Sequence, residues 1–360
     1  MISPLSQRQA IKPIEWVGSS SNGYIKILDQ TALPHRVKYI SCRSIQTLYK
    51  AIKTLQIRGA PLIGIAAGYG IALAIQDVTS IKETILSINK ASRLLISARP
   101  TAVNLRWAIE RVNNAARKYA GQGVSILRVA VLGEAIAIHR EDASMCEKIG
   151  EYGNKLINKN VCILTICNTG ALATGGSGTA FSVILAAERS GKKPTVYACE
   201  TRPLLQGARL TMWELKMAGV KSYLICDGAA ATTIKNKRID CIITGADRIA
   251  RNGDTANKVG TYGLAILAKE HKIPFYVAAP CSTFDISKKT GLEIPVEERA
   301  TCEITIPYGL RLAPRGVSAY NPAFDITPAK YITCFITDKS IIRPPYRENL
   351  FKLSEYSRVR

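Results

Sequence analysis

The chain has 360 residues, 47% of them hydrophobic, 7% aromatic and 21% charged. At about 100 to 200 residues per domain this is room for two packed domains, and it excludes a disordered chain or a low-complexity repeat. Forty-nine Lys and Arg against 27 Asp and Glu leave a formal charge of +22, so the chain attracts anions. Its cations are scattered from Arg8 to Arg360 in runs no longer than a pair such as Lys192-Lys193. Nucleic-acid binders cluster their basic residues, so nucleic acid is excluded as the expected partner.

In chain order, residues 14–17, 24–28 and 36–40 read as short β-rich runs, separated by a Gly/Ser loop and by Pro34. Helical periodicity then predicts helices over 44–55, 61–76, 80–96, 102–119 and 124–156, with Pro61 and Thr101 as start signals. The apolar stretch 61–75 is too short to span a bilayer and carries Gly64, Gly68 and Gly70, which predicts a packed interior helix and no membrane association.

From residue 161 the pattern alternates. Apolar runs at 161–166, 195–199, 222–226, 239–244 and 274–278 are separated by helical stretches at 177–189, 205–218, 228–234 and 257–271. Short buried strands spaced by helices are βαβ units, which predict an α/β class: a C-terminal Rossmann-like open parallel sheet with helices on both faces. A smaller N-terminal domain of short antiparallel strands and helices precedes it, the domains being 1–158 and 159–360 with the long helix as the joint. Ligands of such sheets bind beyond the carboxyl ends of the strands, where strand order reverses.

Most of the ten cysteines lie in apolar strand text, there is no C-x-x-C pair, and no Cys/His spacing fits structural zinc. No segment reads as a basic leader followed by an apolar run, so the expectation is a reduced, cytoplasmic protein.

The first α/β strand ends in Cys167-Asn168-Thr169-Gly170-Ala171-Leu172-Ala173-Thr174-Gly175-Gly176, a Gly/Thr-rich turn before a helix. Its peptide N–H groups suit a phosphate, the favoured reading, against a tight structural turn; it is not a Walker loop, since Gly176 stands where that loop needs Lys. Cys167 is either inert packing on the strand face opposite Cys162, or a thiol activated by a following helix N-terminus. Asp247, just past the fourth strand, is either a cap or a group that meets Cys167 at one ligand. Asn257 and Lys258 stand at a predicted helix start. Arg58 and Arg99 each stand at a loop-to-helix junction, where loose surface arginines are the plainer reading.

Taken in order, Ile57-Arg58-Gly59-Ala60-Pro61, Ala98-Arg99-Pro100-Thr101, Cys167 to Ala173, Glu200-Thr201-Arg202-Pro203, Gln206 to Leu210, Gly245-Ala246-Asp247-Arg248, Asn257-Lys258 and Asn321 to Pro328 resemble the methylthioribose-1-phosphate isomerase family. That family belongs to a larger group with ribose-1,5-bisphosphate isomerases and the regulatory subunits of initiation factor 2B. The resemblance covers most of the chain, and the presence of both Cys167 and Asp247 favours the isomerases.

The resemblance implies conversion of 5-methylthioribose 1-phosphate to 5-methylthioribulose 1-phosphate in methionine salvage, by acid-assisted ring opening and hydrogen transfer from C2 to C1. Asp247 is then the acid at the ring oxygen, its carboxyl kept protonated by burial. Cys167 is the base at C2, or tunes charge if hydride migrates. Arg58, Gly59, Ala60, Arg99, Gln206, Asn257 and Lys258 are then the substrate-binding residues. A small-molecule sugar phosphate as partner, no metal, no organic cofactor and a homodimer through the α/β half are further expectations. The alternatives are a ribose-1,5-bisphosphate isomerase and a non-catalytic regulatory subunit. Where relatives often carry His before the Cys, this chain has Ile166.

Overall fold

A computed structural model describes residues 12–350. Two compact units divide the chain: one takes the residues up to Ser144 together with Ala171–Gly178, the other Met145–Gly170 together with the residues from Thr179 on.

In the first unit, β1 (Ile14–Gly18), β2 (Gly23–Leu28) and β3 (Tyr39–Cys42) form a three-stranded antiparallel sheet. Alternation turns Ile25 and Ile27 inward. The third strand starts later than the predicted 36–40, because its register is set by pairing Tyr39 with Leu28, a contact local composition does not encode. Four helices follow: α1 (Ile45–Lys53), α2 (Ala60–Leu73), α3 (Ile81–Ala98) and α4 (Val103–Tyr119), then the long α5 (Val124–Asn154). Ser44 and Ser80 cap α1 and α3 by accepting from Thr47 N–H and Glu83 N–H, and the Ser80 hydroxyl also donates to the Glu83 carboxylate. Thr101, expected to cap α4, does not; the cap position is Ala102, with no side-chain bond.

Apolar all round, α2 has no solvent face, and every residue from Leu62 to Leu73 is buried. Its neighbours are α1, α3, α4 and the first part of α5, which supplies Leu127, Val131, Ala135 and Ile138 to the same core. The interior helix read from the 61–75 stretch is thus the centre of this unit. Among the described residues no helix is long and apolar enough to cross a membrane.

The second unit alternates as predicted: β4 (Cys162–Thr165), α6 (Ala180–Arg189), β5 (Thr195–Cys199), α7 (Met212–Ala218), β6 (Lys221–Ile225), α8 (Ala230–Lys237), β7 (Cys241–Thr244). After β8 (Arg248–Ala250) and β9 (Thr255–Lys258) come α9 (Thr261–Glu270), β10 (Phe275–Ala278), β11 (Phe284–Asp285), the short α10 (Cys302–Thr305), β12 (Phe324–Thr327), β13 (Cys334–Ile336) and β14 (Ile341–Ile342). The main sheet has seven strands in the order β14-β13-β10-β7-β4-β5-β6. All its pairs are parallel except β13 with β14.

Adjacent strand residues feed opposite cores. Ile163, Val196 and Ile243 pack with Ile149 of α5, Phe181 of α6 and Leu215 of α7. Leu164, Ile242 and Val277 pack with Ile234 of α8 and Leu264 of α9. Both faces are covered, which is why these strands read as unbroken apolar runs.

Three details differ from the sequence reading. The predicted helix at 177–189 begins only at Ala180. The one at 205–218 is a π turn, Gly207–Thr211, running into α7. Asn257 and Lys258 are not at a helix start but on β9, part of a second sheet, β11-β8-β9-β12, that local periodicity does not announce. Its strands are two to four residues long, and β9 pairs with β12, remote in sequence.

Candidate active site

Successive strands β4, β5 and β6 run outward in one direction, and the chain then returns to place β7 on the other side of β4. Strand order therefore reverses between β4 and β7, and the loops leaving their carboxyl ends flank the crevice where an open α/β sheet binds its ligand. Cys167 leaves β4, Asp247 leaves β7, and Gln206 lies beyond the end of neighbouring β5. The β4 and β7 loops touch: a Cβ on Gly245 would stand 2.8 Å from the Thr169 methyl carbon.

The second sheet adds the remaining pair. Asp247 N–H donates to the Ala256 carbonyl at 2.9 Å, which sets the half-buried acid beside Asn257. Asn257 is buried and donates from Nδ2 to the Thr261 hydroxyl, 2.9 Å. Lys258 Nζ donates to the Ala323 carbonyl at 2.8 Å and lies 4.9 Å from the Phe324 ring centre. Gln206 is 6% exposed, and its Oε1 accepts no hydrogen bond. A buried acceptor without a donor is costly unless a ligand supplies one.

Cys167 is not on the strand face opposite Cys162, as spacing predicts. The strand stops at Thr165, and Cys167 turns into the left-handed region with φ +66°. Nor does a regular helix follow it directly; a 3-10 turn, Ala171–Ala173, comes first and α6 starts at Ala180. Ile166 is buried in the apolar core near Gly260, so the position before Cys167 faces hydrocarbon. Elsewhere on the sheet burial pushes the Cys199 thiol up to about 12, the inert packing role expected of core cysteines.

Several peptide N–H groups of the Gly-rich stretch after Cys167 are paired internally. Gly175 N–H donates to the Asp142 carboxylate (2.5 Å), Gly176 N–H to the Thr174 hydroxyl (3.4 Å) and Thr179 N–H to the Thr169 carbonyl (2.8 Å). His139 is held below the usual imidazole pKa by burial; its Nε2–H donates to the Gly175 carbonyl and its Nδ1 accepts from the Tyr69 hydroxyl. These bonds favour the tight-turn alternative at Gly175, where an anion would have to displace a carboxylate.

Arg58, Gly59, Ala60 and Arg99 belong to the first unit. Gly59 has φ +101°, and a Cβ there would fall 2.5 Å from the Ala173 Cα, so glycine is required on both counts. It precedes α2, which has no side-chain cap and no acidic residue in its first turn, the arrangement that suits an anion at a helix N-terminus. Arg58 adjoins that terminus and Arg99 ends α3; both are half-buried rather than loose surface residues. Among the described residues no group of three or more His, Cys, Asp or Glu could hold a metal ion.

Residues that local pattern did not single out complete the surroundings of Cys167: Thr201, Thr211, Asn168 and the buried Glu214. Thr201 lies in the Glu200 to Pro203 motif and Asn168 in the Cys167 to Ala173 motif, and those motifs were the available signal.

An open α/β sheet carrying a thiol and a carboxylate on the loops at its switch point has the arrangement in which such sheets bind a small ligand. The model of the Initiation factor 2 subunit family matches residues 56–344, and the chain belongs to that family. A relative from Desulforamulus reducens named methylthioribose-1-phosphate isomerase is 49% identical over 334 residues, 92% of this chain and 96% of its own length. One from Moorella thermoacetica, named 5-deoxyribose 1-phosphate isomerase, is 49% identical over 348 residues, 96% of this chain and 98% of its own. The crystal structure of 5-methylthioribose 1-phosphate isomerase from Pyrococcus horikoshii superposes with a TM-score of 0.90 at 40% identity, covering 97% of each chain.

Proposed function

We propose that this chain is an aldose–ketose isomerase that interconverts 5-methylthioribose 1-phosphate and 5-methylthioribulose 1-phosphate in methionine salvage. The observation that carries this reading is near-complete coverage at 49% identity by relatives of that name. The presence of Cys167 and Asp247 on the two loops that flank the strand-order reversal supports it.

With phosphate on the anomeric oxygen, the sugar cannot open to a free aldehyde. Asp247 gives its proton to the ring oxygen as the bond from that oxygen to C1 breaks. Cys167, as thiolate, takes the proton from C2, leaving an enol phosphate. The enol hydroxyl then returns a proton to Asp247 while C1 takes the proton held by Cys167. Carbon 1 is reduced, carbon 2 becomes the ketone, and both residues end as they began. General acid and base groups of this kind contribute about 10² to 10⁴ each.

Arg58 and Arg99 bind the 1-phosphate through charge-assisted bonds, with Gly59 and Ala60 at the α2 terminus. Gln206, Asn257 and Lys258 bind sugar oxygens, and the unpartnered Gln206 Oε1 supports a hydroxyl donor there. Because all the chemistry lies at C1, C2 and the ring oxygen, 5-deoxyribose 1-phosphate fits the same route, as the Moorella relative's name supports. The protein acts in the cytoplasm, as its free thiols support, and pairs as a homodimer through the α/β unit. Edge strand β6, with Tyr223 and Leu224 about half exposed, supports that pairing, and sedimentation measures it.

The test is aldose-to-ketose conversion by the purified protein with each sugar phosphate, alongside Cys167→Ser and Asp247→Asn. Turnover of the methylthio or 5-deoxy substrate is expected, with each substitution lowering kcat by about 10² to 10⁴. Conversion of ribose 1,5-bisphosphate alone would replace the substrate; no turnover of any would leave the regulatory reading. Deuterium appearing at C1 in D₂O marks the proton route, entering by exchange of the Cys167 thiol proton with solvent before it is returned.

A further inference from the structure

Cys167 holds a backbone conformation that side-chain-bearing residues rarely adopt, and it is 8% exposed. Beyond the end of β4 its peptide groups have no ladder partner, yet buried N–H and C=O groups must be paired. Two threonine hydroxyls pair them. Cys167 N–H donates to Thr201 Oγ1 at 2.9 Å, and the Cys167 carbonyl accepts from Thr211 Oγ1 at 2.6 Å.

Each hydroxyl is itself fixed. Thr201 is fully buried and left-handed, with φ +67°, and passes its proton to the Cys199 carbonyl, 3.1 Å. The Asp227 carboxylate holds the turn by accepting from Thr201 N–H (2.8 Å) and Arg202 N–H (2.7 Å). Thr211 is 2% exposed and closes the π turn Gly207–Thr211, a distortion often found at functional sites. Its oxygen accepts from Asn168 Nδ2 at 3.3 Å, and the same amide donates to the buried Glu214. One proton per hydroxyl accounts for every bond.

We infer that Thr201 and Thr211 are positioning residues: their hydroxyls clamp the two peptide groups of Cys167, hold its left-handed backbone and so fix the direction of its thiol. This rests on the reading of Cys167 as the base. A thiol displaced by an ångström from its reacting carbon costs on the order of 10²-fold in rate, so the clamp belongs to the chemistry as well as to the fold.

The experiment uses the full chain with Thr201→Val and Thr211→Val, which keep shape and remove the hydroxyl, and Thr201→Ser and Thr211→Ser, which restore it. Two quantities are read: kcat and KM for the sugar phosphate, and the rate at which iodoacetamide modifies Cys167, resolved from the other cysteines by peptide mass mapping. The Val variants are expected to lose about 10- to 100-fold in kcat with KM within about twofold of the parent. They should also shift the rate and pH profile of Cys167 alkylation, and Ser should return both toward the parent.

Unchanged alkylation of Cys167 in both Val variants overturns the inference, whatever happens to turnover. So does a loss that Ser fails to restore. Should a Val variant give no cooperative melt, Thr→Ala at the same position is read in its place by the same two measures. Cys167→Ala separates the two claims: parental turnover in that variant removes the base reading, whereas alkylation of Cys167 in the threonine variants still reports whether the threonines aim the thiol.

Discussion

Asp325 has a largely buried carboxyl whose environment pH can report. Its carboxylate accepts from Gly260 N–H at 2.7 Å and Tyr262 N–H at 3.1 Å, holding the turn between β9 and α9 that follows Lys258. Burial outweighs these bonds and the nearby Lys258 charge, pushing the carboxyl from 3.8 up to about 6. The folded state therefore keeps a proton that an unfolded Asp releases, and binds more protons over that interval. Stability from this group is full below pH 3.8 and is lost as pH rises through about 6. Between pH 4 and 7 the parent is expected to lose up to about 3 kcal/mol more than Asp325→Asn, measured by urea unfolding at both pH values. Equal losses in the two proteins would remove Asp325 as the titrating group.

At the scale of elements, the π turn shows how a loop position is dictated by a distant backbone. A Cβ on Gly207 would lie 1.7 Å from the Cys199 carbonyl oxygen, so any side chain there must push the turn off the end of β5. The displaced turn carries Gln206 at one end and Thr211 at the other. Gly207→Ala is expected to cost about 1–3 kcal/mol in denaturant unfolding, the range of overpacked sites, and to lower kcat/KM alongside. A variant as stable and active as the parent would mean the turn has slack that the close approach denies.

For the whole molecule the governing quantity is the charge of +22. Self-repulsion of like charges destabilises the compact state, while the same field draws in an anionic substrate, and salt screens both. Raising NaCl from about 20 to about 300 mM shortens the Debye length from roughly 20 Å to below 8 Å. The expected outcome is a rise in Tm together with a fall in kcat/KM and little change in kcat. A kcat/KM indifferent to salt would show that capture does not use the field.

Composition and periodicity determined the α/β class, the interior α2 helix and the parallel order of the main strands, because buried parallel strands and a fully buried helix both write themselves as local apolar runs. The motifs around Cys167 and Asp247 were legible for a similar reason: each follows directly on such a run. What only the tertiary structure decided depends on partners remote in the chain. The sheet holding Asn257 and Lys258 exists because β9 meets β12, where Asn257 stands opposite Asp325. In the glycine loop the Gly175 N–H is taken by Asp142, on α5 and 33 residues earlier in the chain. The left-handed set of Cys167 depends on two hydroxyls beyond β5, a strand away in space and more than thirty residues away in sequence. Periodicity records which side of an element is apolar; hydrogen bonds between distant loops leave no such record.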